Sequence, residues 1–444
     1  MRRKGIRQFI ILLLLIAAGV VVAVRWNAWF GNPAESAYIV GTEPENLMLT
    51  LGEKGDSERV LSWRCDTALH TSYVCLTHPD GQTETIQAAG EVVESRAGKA
   101  AFYHAPLCCP KNGTYSVVAH TCKHSSNPYI FTINAPDSDH EFAVLGDIQA
   151  TTSDYSQHVV RSVRNGVPNA EFWVQVGDLI ERPCDNYWQL AFSALKSDTL
   201  TAFVAATGNH EYLKGIRKTL DSRWTSVFVN PHNGPHGALG RTYYVDYNGL
   251  RLIVLDTDGL FYFSDYTRTE AWLFHALTDT TAADSWKMVV MHHPARSAGM
   301  GRDNPLIFAA FARALSYADV VVAGHDHSYA RRIKSHKYSN VKQTVSYVIS
   351  TSDKHYLPKL NKRDDRLLSC HPHYLKVRYN SNSLEVATYL LNDNTLYDRV
   401  LLSADTTAID YFEGVGEIIE MPQRYKEKNN WKTRLFKKRL AERS

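Results

Sequence analysis

Short stretches in which hydrophobic and polar residues alternate fill the chain from residue 36 to residue 136. Six of them follow one another: ENLMLTLG, ERVLSWRC, TSYVCLTHP, KAAFYHAP, GTYSVVAHTC and NPYIFTINAP. Aromatic and β-branched residues recur within the stretches, and Gly, Pro, Asn and Asp lie between them. Because no helical period appears, this pattern predicts a small antiparallel β-sandwich.

After the segment APDSDH, the pattern changes to continuous apolar runs separated by stretches of helical length. There are six such runs: FAVL, FWVQV, FVAAT, LIVL, MVVM and VVVA. Continuous apolar runs are typical of strands that are buried on both faces and covered by helices. SQHVVRSVRNG and EAWLFHAL are the helix candidates between them. We therefore predict a second domain of the α/β class over residues 138–415, although residues 360–420 show little pattern.

The first 30 residues have the composition of an export segment. Four cations precede an unbroken apolar run from Phe9 to Val24, which Arg25 and Trp26 close. This order is typical of a signal sequence that is either cleaved or retained as an anchor. Because no clear cleavage site follows and Trp26 suits a membrane interface, we favour a retained transmembrane anchor with its basic end in the cytoplasm. The rest of the chain is then extracytoplasmic, in the periplasm or at the cell surface, or secreted if the signal is cleaved.

Composition and charge narrow the classes of function. With 44% hydrophobic and 21% charged residues, the chain has the composition of an ordinary globular protein. Its net charge of +3 argues neither for nor against nucleic acid, so no nucleic-acid partner is predicted. The segment 420–444 is strongly basic, which fits either a solvated surface helix or contact with an anionic membrane surface. Seven cysteines in an exported protein suggest buried thiols and one or two disulfide bridges.

Polar residues that bind metals follow five of the six apolar runs. They occur in the motifs GD, GDLIE, GNHE, HHP and GHDH, and the residues concerned are Asp147, Asp178, Asn209, His210, His292, His293, His325 and His327. A carboxylate or imidazole at the carboxyl end of a strand is well placed to bind a metal, and a preceding glycine lets the backbone approach the ion. Because the five motifs occur together and in this order, the sequence predicts a metal centre.

This series of motifs resembles the calcineurin-like metallophosphoesterase superfamily and, more narrowly, the purple acid phosphatases. GRTYYVDYNGLRLIVLDTD, GHDHSYARR and the end of the predicted sandwich are also similar to that family. The resemblance implies a four-layer α/β/β/α sandwich preceded by a fibronectin-III-like β-sandwich. It also implies two divalent metal ions and hydrolysis of phosphate esters by attack of a metal-bridging hydroxide.

The resemblance also implies roles for individual residues. Asp178 would bridge the two metals, and Asp147 and His327 would bind the first. The second metal would be bound by the residues Asn209, His292 and His325, where the pattern H-x-P selects His292 over His293 as the ligand. His210 would bind substrate or protonate the leaving oxygen, or else orient its loop through Glu211. The remaining predictions are His293 as a second catalytic candidate and Asp326 as the residue that holds an imidazole in position.

Two positions depart from the family pattern. Glu181 stands where purple acid phosphatases have a tyrosine that binds ferric iron, and Gln149 stands where other relatives have a histidine. We therefore expect a colourless first site that accepts manganese, zinc or ferrous iron, with Gln149 as a direct or water-mediated ligand. Glu181 is either a substitute ligand or a solvent-facing residue. The arginines of the later motifs are expected to be surface charges rather than phosphate ligands: Arg296, Arg302, Arg331 and Arg332.

The sequence thus predicts an anchored, extracytoplasmic phosphohydrolase that acts on an unidentified phosphorylated substrate. A phosphodiesterase or nuclease that uses the same metals is the alternative within the enzyme class. A surface binding protein, in which the sandwich recognises a partner and the catalytic site has decayed, is the alternative from another class.

Overall fold

The computed structural model describes residues 2–37, 40–136, 138–336, 343–404 and 409–443. Residue 137, within the predicted domain boundary, lies outside these ranges. The helices are α1 (Arg2–Phe30), α2 (Ser153–Gly166), α3 (Asp185–Leu195), α4 (Ser222–Val227), α5 (Phe263–Thr278), α6 (Pro305–Phe311), α7 (Gln423–Lys426) and α8 (Trp431–Arg443). The first nine strands are β1 (Glu45–Leu51), β2 (Glu58–Arg64), β3 (Ser72–Thr77), β4 (Thr83–Gln87), β5 (Ala89–Ser95), β6 (Gly98–Cys108), β7 (Gly113–Thr121), β8 (His124–Ser125) and β9 (Tyr129–Ile133). The later strands are β10 (His140–Leu145), β11 (Phe172–Gln175), β12 (Ala202–Ala205), β13 (Tyr212–Leu213), β14 (Thr219–Leu220), β15 (Tyr243–Tyr247), β16 (Leu250–Leu255), β17 (Trp286–Met291), β18 (Val320–Ala323), β19 (Tyr329–Ser335), β20 (Gln343–Val348), β21 (Arg366–Leu368), β22 (His373–Tyr379), β23 (Ser383–Leu390), β24 (Leu396–Ser403) and β25 (Ile409–Glu413).

Two large sheets form the middle of the molecule. One has eleven strands in the order β25-β24-β23-β22-β10-β11-β12-β1-β2-β6-β5, and the other has seven in the order β15-β16-β17-β18-β20-β19-β21. Their facing sides share a core to which β10, β11, β16 and β17 all contribute buried side chains. Helices α2 and α3 pack on the outer face of the first sheet, and α5 and α6 pack on that of the second. All six apolar runs are strands and both helix candidates are helices, so the predicted mixed α/β fold is confirmed.

The N-terminal strands continue the catalytic sheet. All six predicted stretches form strands, but β1 pairs in parallel with β12, where Leu49 lies opposite Ala202. Strands β3, β4, β7, β8 and β9 make a separate sheet, and Trp63 and Tyr115 belong to the core that the two large sheets share. The first segment therefore contributes to the same core as the α/β layers. Strands β4 and β5 were not predicted from the sequence, because most of their residues are exposed and show no apolar alternation.

Helix α1 contains a 25-residue stretch, Ile6–Phe30, whose most apolar 18 residues have a mean hydropathy of 2.7 and are not buried against the protein. By length and composition this stretch is able to cross a membrane. A signal sequence near an N-terminus has the same properties, so the helix is consistent with either form of export segment.

The C-terminal third supplies elements that the sequence pattern did not predict. Strands β22 to β25 extend the eleven-stranded sheet on the far side of β10. Helix α8 packs against the body of the protein through Phe436, which is 1% exposed and lies in a cluster with Met300 and Leu360. The basic tail is therefore a docked helix rather than a freely solvated one. Its contact with an anionic membrane surface stays a prediction.

All seven cysteines are free thiols, so the expected disulfide bridges are wrong. Cys65, Cys109 and Cys184 are buried, as expected from the prediction of buried thiols. Burial raises the pKa of Cys65 to about 11 and that of Cys109 to about 12, so both thiols stay protonated at neutral pH.

Candidate metal centre

The predicted motifs meet where strands of both large sheets end. Asp147, Asp178 and Asn209 follow β10, β11 and β12, which are adjacent and parallel in one sheet. The histidines of HHP and GHDH follow β17 and β18, which are adjacent and parallel in the other. Since parallel strands present their carboxyl ends at one edge, the two sets of loops converge on one site.

Several site residues have a left-handed backbone. The φ angle is 51° at Asp147, 41° at Gln149, 55° at Asp178, 71° at His325 and 47° at His327. Non-glycine residues rarely adopt such angles, and residues that do so cluster at functional sites. The neighbouring loop must also come very close, because a Cβ atom on Gly208 would lie 2.2 Å from Asp178 Oδ1. Here glycine is required by close approach rather than by its own φ angle.

Asp178 lies at the centre of the site. It is 1% exposed, and its Oδ2 atom is 3.1 Å from His292 Nε2, while Oδ1 accepts a hydrogen bond of 2.8 Å from the backbone N–H of His210. Burial by itself would raise the pKa of Asp178, but the charges of His292 and His210 outweigh it and lower that pKa well below the usual value. The central position of this ionised carboxylate is the one that a bridging ligand requires.

His292 presents one ring nitrogen to the site and uses the other for support. Its Nδ1 atom donates to the carbonyl oxygen of Val176 at 3.1 Å, which leaves Nε2 facing Asp178 and, at 3.3 Å, Asn209 Oδ1. Such a hydrogen bond fixes the tautomer and ring orientation of a metal-binding histidine. The ligand atoms of Asp178, His292 and His325 all lie within 4.8 Å of one another, so these three residues are able to hold one ion.

Asp147 and His327 lie next to this group. The Asp147 carboxylate is fully buried and accepts the backbone N–H of His325 at 2.8 Å. His327 Nε2 is 3.7 Å from Asp147 Oδ1, and its Nδ1 donates to the carbonyl oxygen of Lys354 at 2.7 Å. Burial and the neighbouring Asp178 raise the pKa of Asp147 to about 8. Two buried carboxylates side by side need positive charge, and carboxylate, amide and imidazole donors suit divalent metal ions, so the residues present fit such ions.

Gln149 belongs to the site, and Glu181 has another partner. The amide nitrogen of Gln149 donates to Asp178 Oδ2 at 2.8 Å, so its amide group contacts the central carboxylate. The Glu181 carboxylate forms an ion pair with Lys354, and it is therefore neither a free ligand nor simply solvent-facing. Direct ligation by Gln149 stays a prediction.

His210 lies at the open edge of the site. Its side chain is 31% exposed, with Nε2 3.9 Å from Asp178 Oδ2 and Nδ1 2.5 Å from the carbonyl oxygen of Glu181. The loop is held by Glu211 instead, whose carboxylate accepts the backbone N–H groups of Leu179 at 2.8 Å and Gly208 at 2.7 Å. His210 therefore contacts the loop of Glu181 through Nδ1, while its Nε2 is directed toward Asp178.

His293 lies beside His325 and faces the loop of Thr257 and Asp258 rather than Asp178. Its ring centroid is 4.2 Å from that of His325, and its Nδ1 is 3.1 Å from Thr257 Oγ1 and 3.4 Å from Asp258 Oδ2. Burial lowers the pKa of His293 to about 4, so the ring is neutral at neutral pH. His293 also lines a cleft of about 1240 Å³, whose lining includes none of the predicted metal ligands.

Arg302 was predicted to be a surface charge, but it lies in the site. Its Nη2 atom is 2.9 Å from His325 Nε2, and its guanidinium lies over the Tyr356 ring at 4.4 Å. Arg424, from α7, lies over the same ring at 4.5 Å. No local pattern identified Tyr356 or Arg424, because both come from segments without a recognised motif.

The other three arginines lie elsewhere, and two of them correct the prediction. Arg331 is buried in an ion pair with Asp398, and Arg332 is buried in one with Asp364, so neither is a surface charge. Arg296 stacks on Phe308 at 4.1 Å.

The predicted role of Asp326 is also wrong. Its Oδ2 atom accepts hydrogen bonds from the backbone N–H groups of Ala298 at 2.6 Å and Gly299 at 3.0 Å, and from the Ser297 hydroxyl at 2.8 Å. Asp326 Oδ1 is 3.5 Å from Arg302 Nε. Asp326 therefore holds the loop that carries Arg302 rather than an imidazole.

Comparisons with known proteins agree with this geometry. Residues 140–329 match the family model of the calcineurin-like phosphoesterases. The fold is similar to that of the purple acid phosphatase PPD1 from yellow lupin (Lupinus luteus) seeds, with a TM-score of 0.67, 15% identity, and coverage of 82% of this chain and 74% of that one. It is also similar to PhoD, with a TM-score of 0.60, 12% identity, and coverage of 92% of this chain and 100% of that one. No curated protein sequence matches the chain.

The matched region ends at Tyr329, so it contains every predicted metal ligand together with His210 and His293. It also contains the strands that bring these residues together. The part of the chain that matches the calcineurin-like phosphoesterase model therefore holds the predicted metal centre, and the protein is a metal-dependent phosphoester hydrolase whose fold is similar to that of a purple acid phosphatase.

Proposed function

We propose that the protein is a two-metal phosphohydrolase, anchored by α1 with its catalytic domain outside the cytoplasm. The observation that carries the two-metal proposal is the arrangement of Asp147 and Asp178. Both carboxylates are buried, and each has its own imidazole neighbour: His292 Nε2 is 3.1 Å from Asp178 Oδ2, and His327 Nε2 is 3.7 Å from Asp147 Oδ1. Within this proposal, the strands of residues 36–136 form a fibronectin-III-like module that is fused to the catalytic sheet.

The metal ligands divide into two groups around Asp178. Asp147 and His327, with Gln149 nearby, would hold one divalent ion, and the residues Asn209, His292 and His325 would hold the other. Two such ions neutralise charge on the phosphate and make hydroxide available near neutral pH. Manganese, zinc and ferrous iron all suit this mixture of oxygen and nitrogen donors.

The other residues of the site act on the substrate. Arg302 supplies a guanidinium beside His325 and binds a phosphate oxygen of the ester. His210, partly exposed and close to Asp178, donates a proton to the oxygen of the departing alcohol. Glu211 accepts hydrogen bonds from the backbone N–H groups of Asp178 and Gly208 and so fixes the two loops relative to each other.

Metal analysis and two substitutions test the proposal. The purified protein is expected to hold about two divalent ions per chain, and Asp178→Ala and His325→Ala are each expected to lower phosphatase turnover by at least about 1000-fold without unfolding the protein. Elemental analysis, hydrolysis of p-nitrophenyl phosphate and thermal unfolding give the three readouts. A metal-free protein under metal-replete conditions, or unchanged turnover in either variant, would contradict it.

Phosphodiesters are the second candidate substrates, because the cleft beside His293 is much larger than a phosphate group. The rate on p-nitrophenyl phosphate is to be compared with that on bis(p-nitrophenyl) phosphate. A preference for the diester of more than about tenfold, equivalent to about 1.4 kcal/mol in the barrier, would assign the protein to the phosphodiesterases.

A further inference from the structure

The cleft that His293 lines has an apolar rim. Three consecutive aromatic side chains at the start of α5 are largely exposed: Phe261 by 51%, Tyr262 by 54% and Phe263 by 83%. Ile216, across the cleft, is 74% exposed. Contiguous exposed apolar groups on a folded protein mark a surface that contacts a partner or a membrane. We call these four residues the apolar rim.

Cations lie among these apolar side chains. The Arg217 guanidinium is 5.9 Å from the Phe261 ring centroid and 5.6 Å from that of Tyr262. Among the described residues, no carboxylate lies within ion-pair distance of Arg217. Lys214 and Lys218 belong to the same segment, where Lys218 Nζ is paired with Asp258 Oδ1 at 2.9 Å. Aromatic and aliphatic groups interleaved with Arg217 and Lys214 suit the headgroup region of an anionic membrane.

The same segment is tied to the end of α1. Asn32 and Lys214 exchange two hydrogen bonds of 2.8 Å, since the Asn32 amide donates to the Lys214 carbonyl and accepts from its N–H. Lys214 Nζ also lies 3.4 Å from the carbonyl oxygen of Ala28, within the last turns of α1. The apolar rim thus begins two residues from the contact with the helix that is able to cross a membrane.

Glu35 fixes the linker that follows α1. Its side chain is 3% exposed, and Arg223 binds it through Nη1 at 2.5 Å and Nη2 at 3.2 Å. The Asp185 N–H donates to the same carboxylate at 2.6 Å. Because the buried Glu35 carboxylate accepts several hydrogen bonds, it holds the linker rigidly against the protein. With α1 in a bilayer, the apolar rim is held on the membrane side of the catalytic domain.

We propose that the cleft opens onto the membrane and that its substrates are phosphate esters carried by lipids. The inference rests on the proposed phosphohydrolase function and on α1 as a retained anchor. The apolar rim enters the lipid surface, its cations bind anionic headgroups, and the headgroup phosphate reaches the site past His293. In the reaction, the phosphorus–oxygen bond to the lipid alcohol breaks, water oxygen bonds to phosphorus, and the alcohol leaves with a proton.

The test compares one headgroup with and without acyl chains. The full chain is reconstituted in phosphatidylcholine vesicles, and phosphate release is measured from phosphatidic acid in the same vesicles and from glycerol 3-phosphate in solution. In the double variant Ile216→Ser/Phe263→Ser, the ratio of the lipid rate to the soluble rate is expected to fall about tenfold, because each lost apolar side chain weakens interfacial contact. In the control Leu69→Ser, where an apolar side chain that is 52% exposed lies on the N-terminal sandwich, the ratio is expected to stay within about twofold of the wild-type value.

Two results would overturn the inference. One is an unchanged ratio in the double variant while thermal unfolding shows that the variant is folded. The other is hydrolysis of glycerol 3-phosphate or p-nitrophenyl phosphate by the wild-type protein without hydrolysis of phosphatidic acid. Absence of hydrolysis of all three esters would overturn the proposed function itself, and this inference with it.

Discussion

Gln149 and Arg302 show how single residues set the character of the metal site. Gln149 contributes a neutral amide at the position where the family resemblance led us to expect a histidine, and in this fold it contacts Asp178. Arg302 places a permanent positive charge beside His325. Within the proposed function, a neutral amide at position 149 is a weaker donor to the first metal than an imidazole, and Arg302 adds charge for binding a phosphate.

The role of Arg302 leads to a prediction about catalysis. Arg302→Gln is expected to lower kcat/KM for p-nitrophenyl phosphate by about 10- to 100-fold, since a charge-assisted hydrogen bond to the phosphate is lost. Arg296→Gln on the same loop is the matched control, because Arg296 stacks on Phe308 outside the site. Steady-state kinetics on both variants decide the matter, and an equal loss in both would remove Arg302 from substrate binding.

Strand β22 shows how an element outside the motifs supports the site loops. His373, at its first position, is 1% exposed, and its Nε2 accepts the Ser350 N–H at 3.0 Å while its Nδ1 donates to the His371 carbonyl oxygen at 2.9 Å. The adjacent Thr351 in turn donates its N–H to the carbonyl oxygen of Gly146, next to Asp147. Both ring nitrogens of His373 form hydrogen bonds and the ring is buried, so the folded structure requires the neutral form of the ring.

This element makes stability depend on pH. Burial lowers the pKa of His373 to about 4, below the ordinary 6.5, so the unfolded chain binds a proton more readily than the folded one between these values. The contribution of neutral His373 to the free energy of unfolding is complete above about pH 6.5, and it is lost as the pH falls toward 4. Between pH 7 and pH 5 the contribution falls by about 2 kcal/mol. Urea unfolding of the wild type and of His373→Gln at both pH values is the measurement, and the same pH dependence in both would contradict the assignment.

On the scale of the whole molecule, the N-terminal strands and the catalytic layers form one structure. The pairing of β1 with β12 makes the eleven-stranded sheet continuous, and the core between the sheets includes residues from both regions. The purple acid phosphatase resemblance led us to predict a sandwich that precedes the catalytic domain. In the fold, β1 of this region covers an edge of the catalytic sheet by pairing with β12.

Shortened chains test whether the N-terminal strands and the catalytic layers unfold as one cooperative unit. A chain that begins at residue 138 would expose the edge of β12 and part of the shared core, so we expect it to lack a cooperative thermal transition. A chain that begins at residue 31 keeps the contacts of Glu35 and both regions, and it is expected to unfold in a single transition. Calorimetry on the two chains measures this. Cooperative unfolding of the shorter one near the temperature of the longer one would show that the regions are independent.

The sequence alone determined the order of the buried strands and the ligand types that follow them. Continuous apolar runs and short metal-binding motifs are local properties, so FAVLGD, GDLIE, GNHE, HHP and GHDH predicted the α/β layers and the candidate ligands without coordinates. Only the tertiary structure decided that Arg302 enters the site, that Asp326 holds a loop and that β1 joins β12. It also decided that the apolar rim lies beside the end of α1. The reason is physical: these contacts join residues far apart in the chain, and their pairing depends on the packing of the whole core rather than on any local pattern.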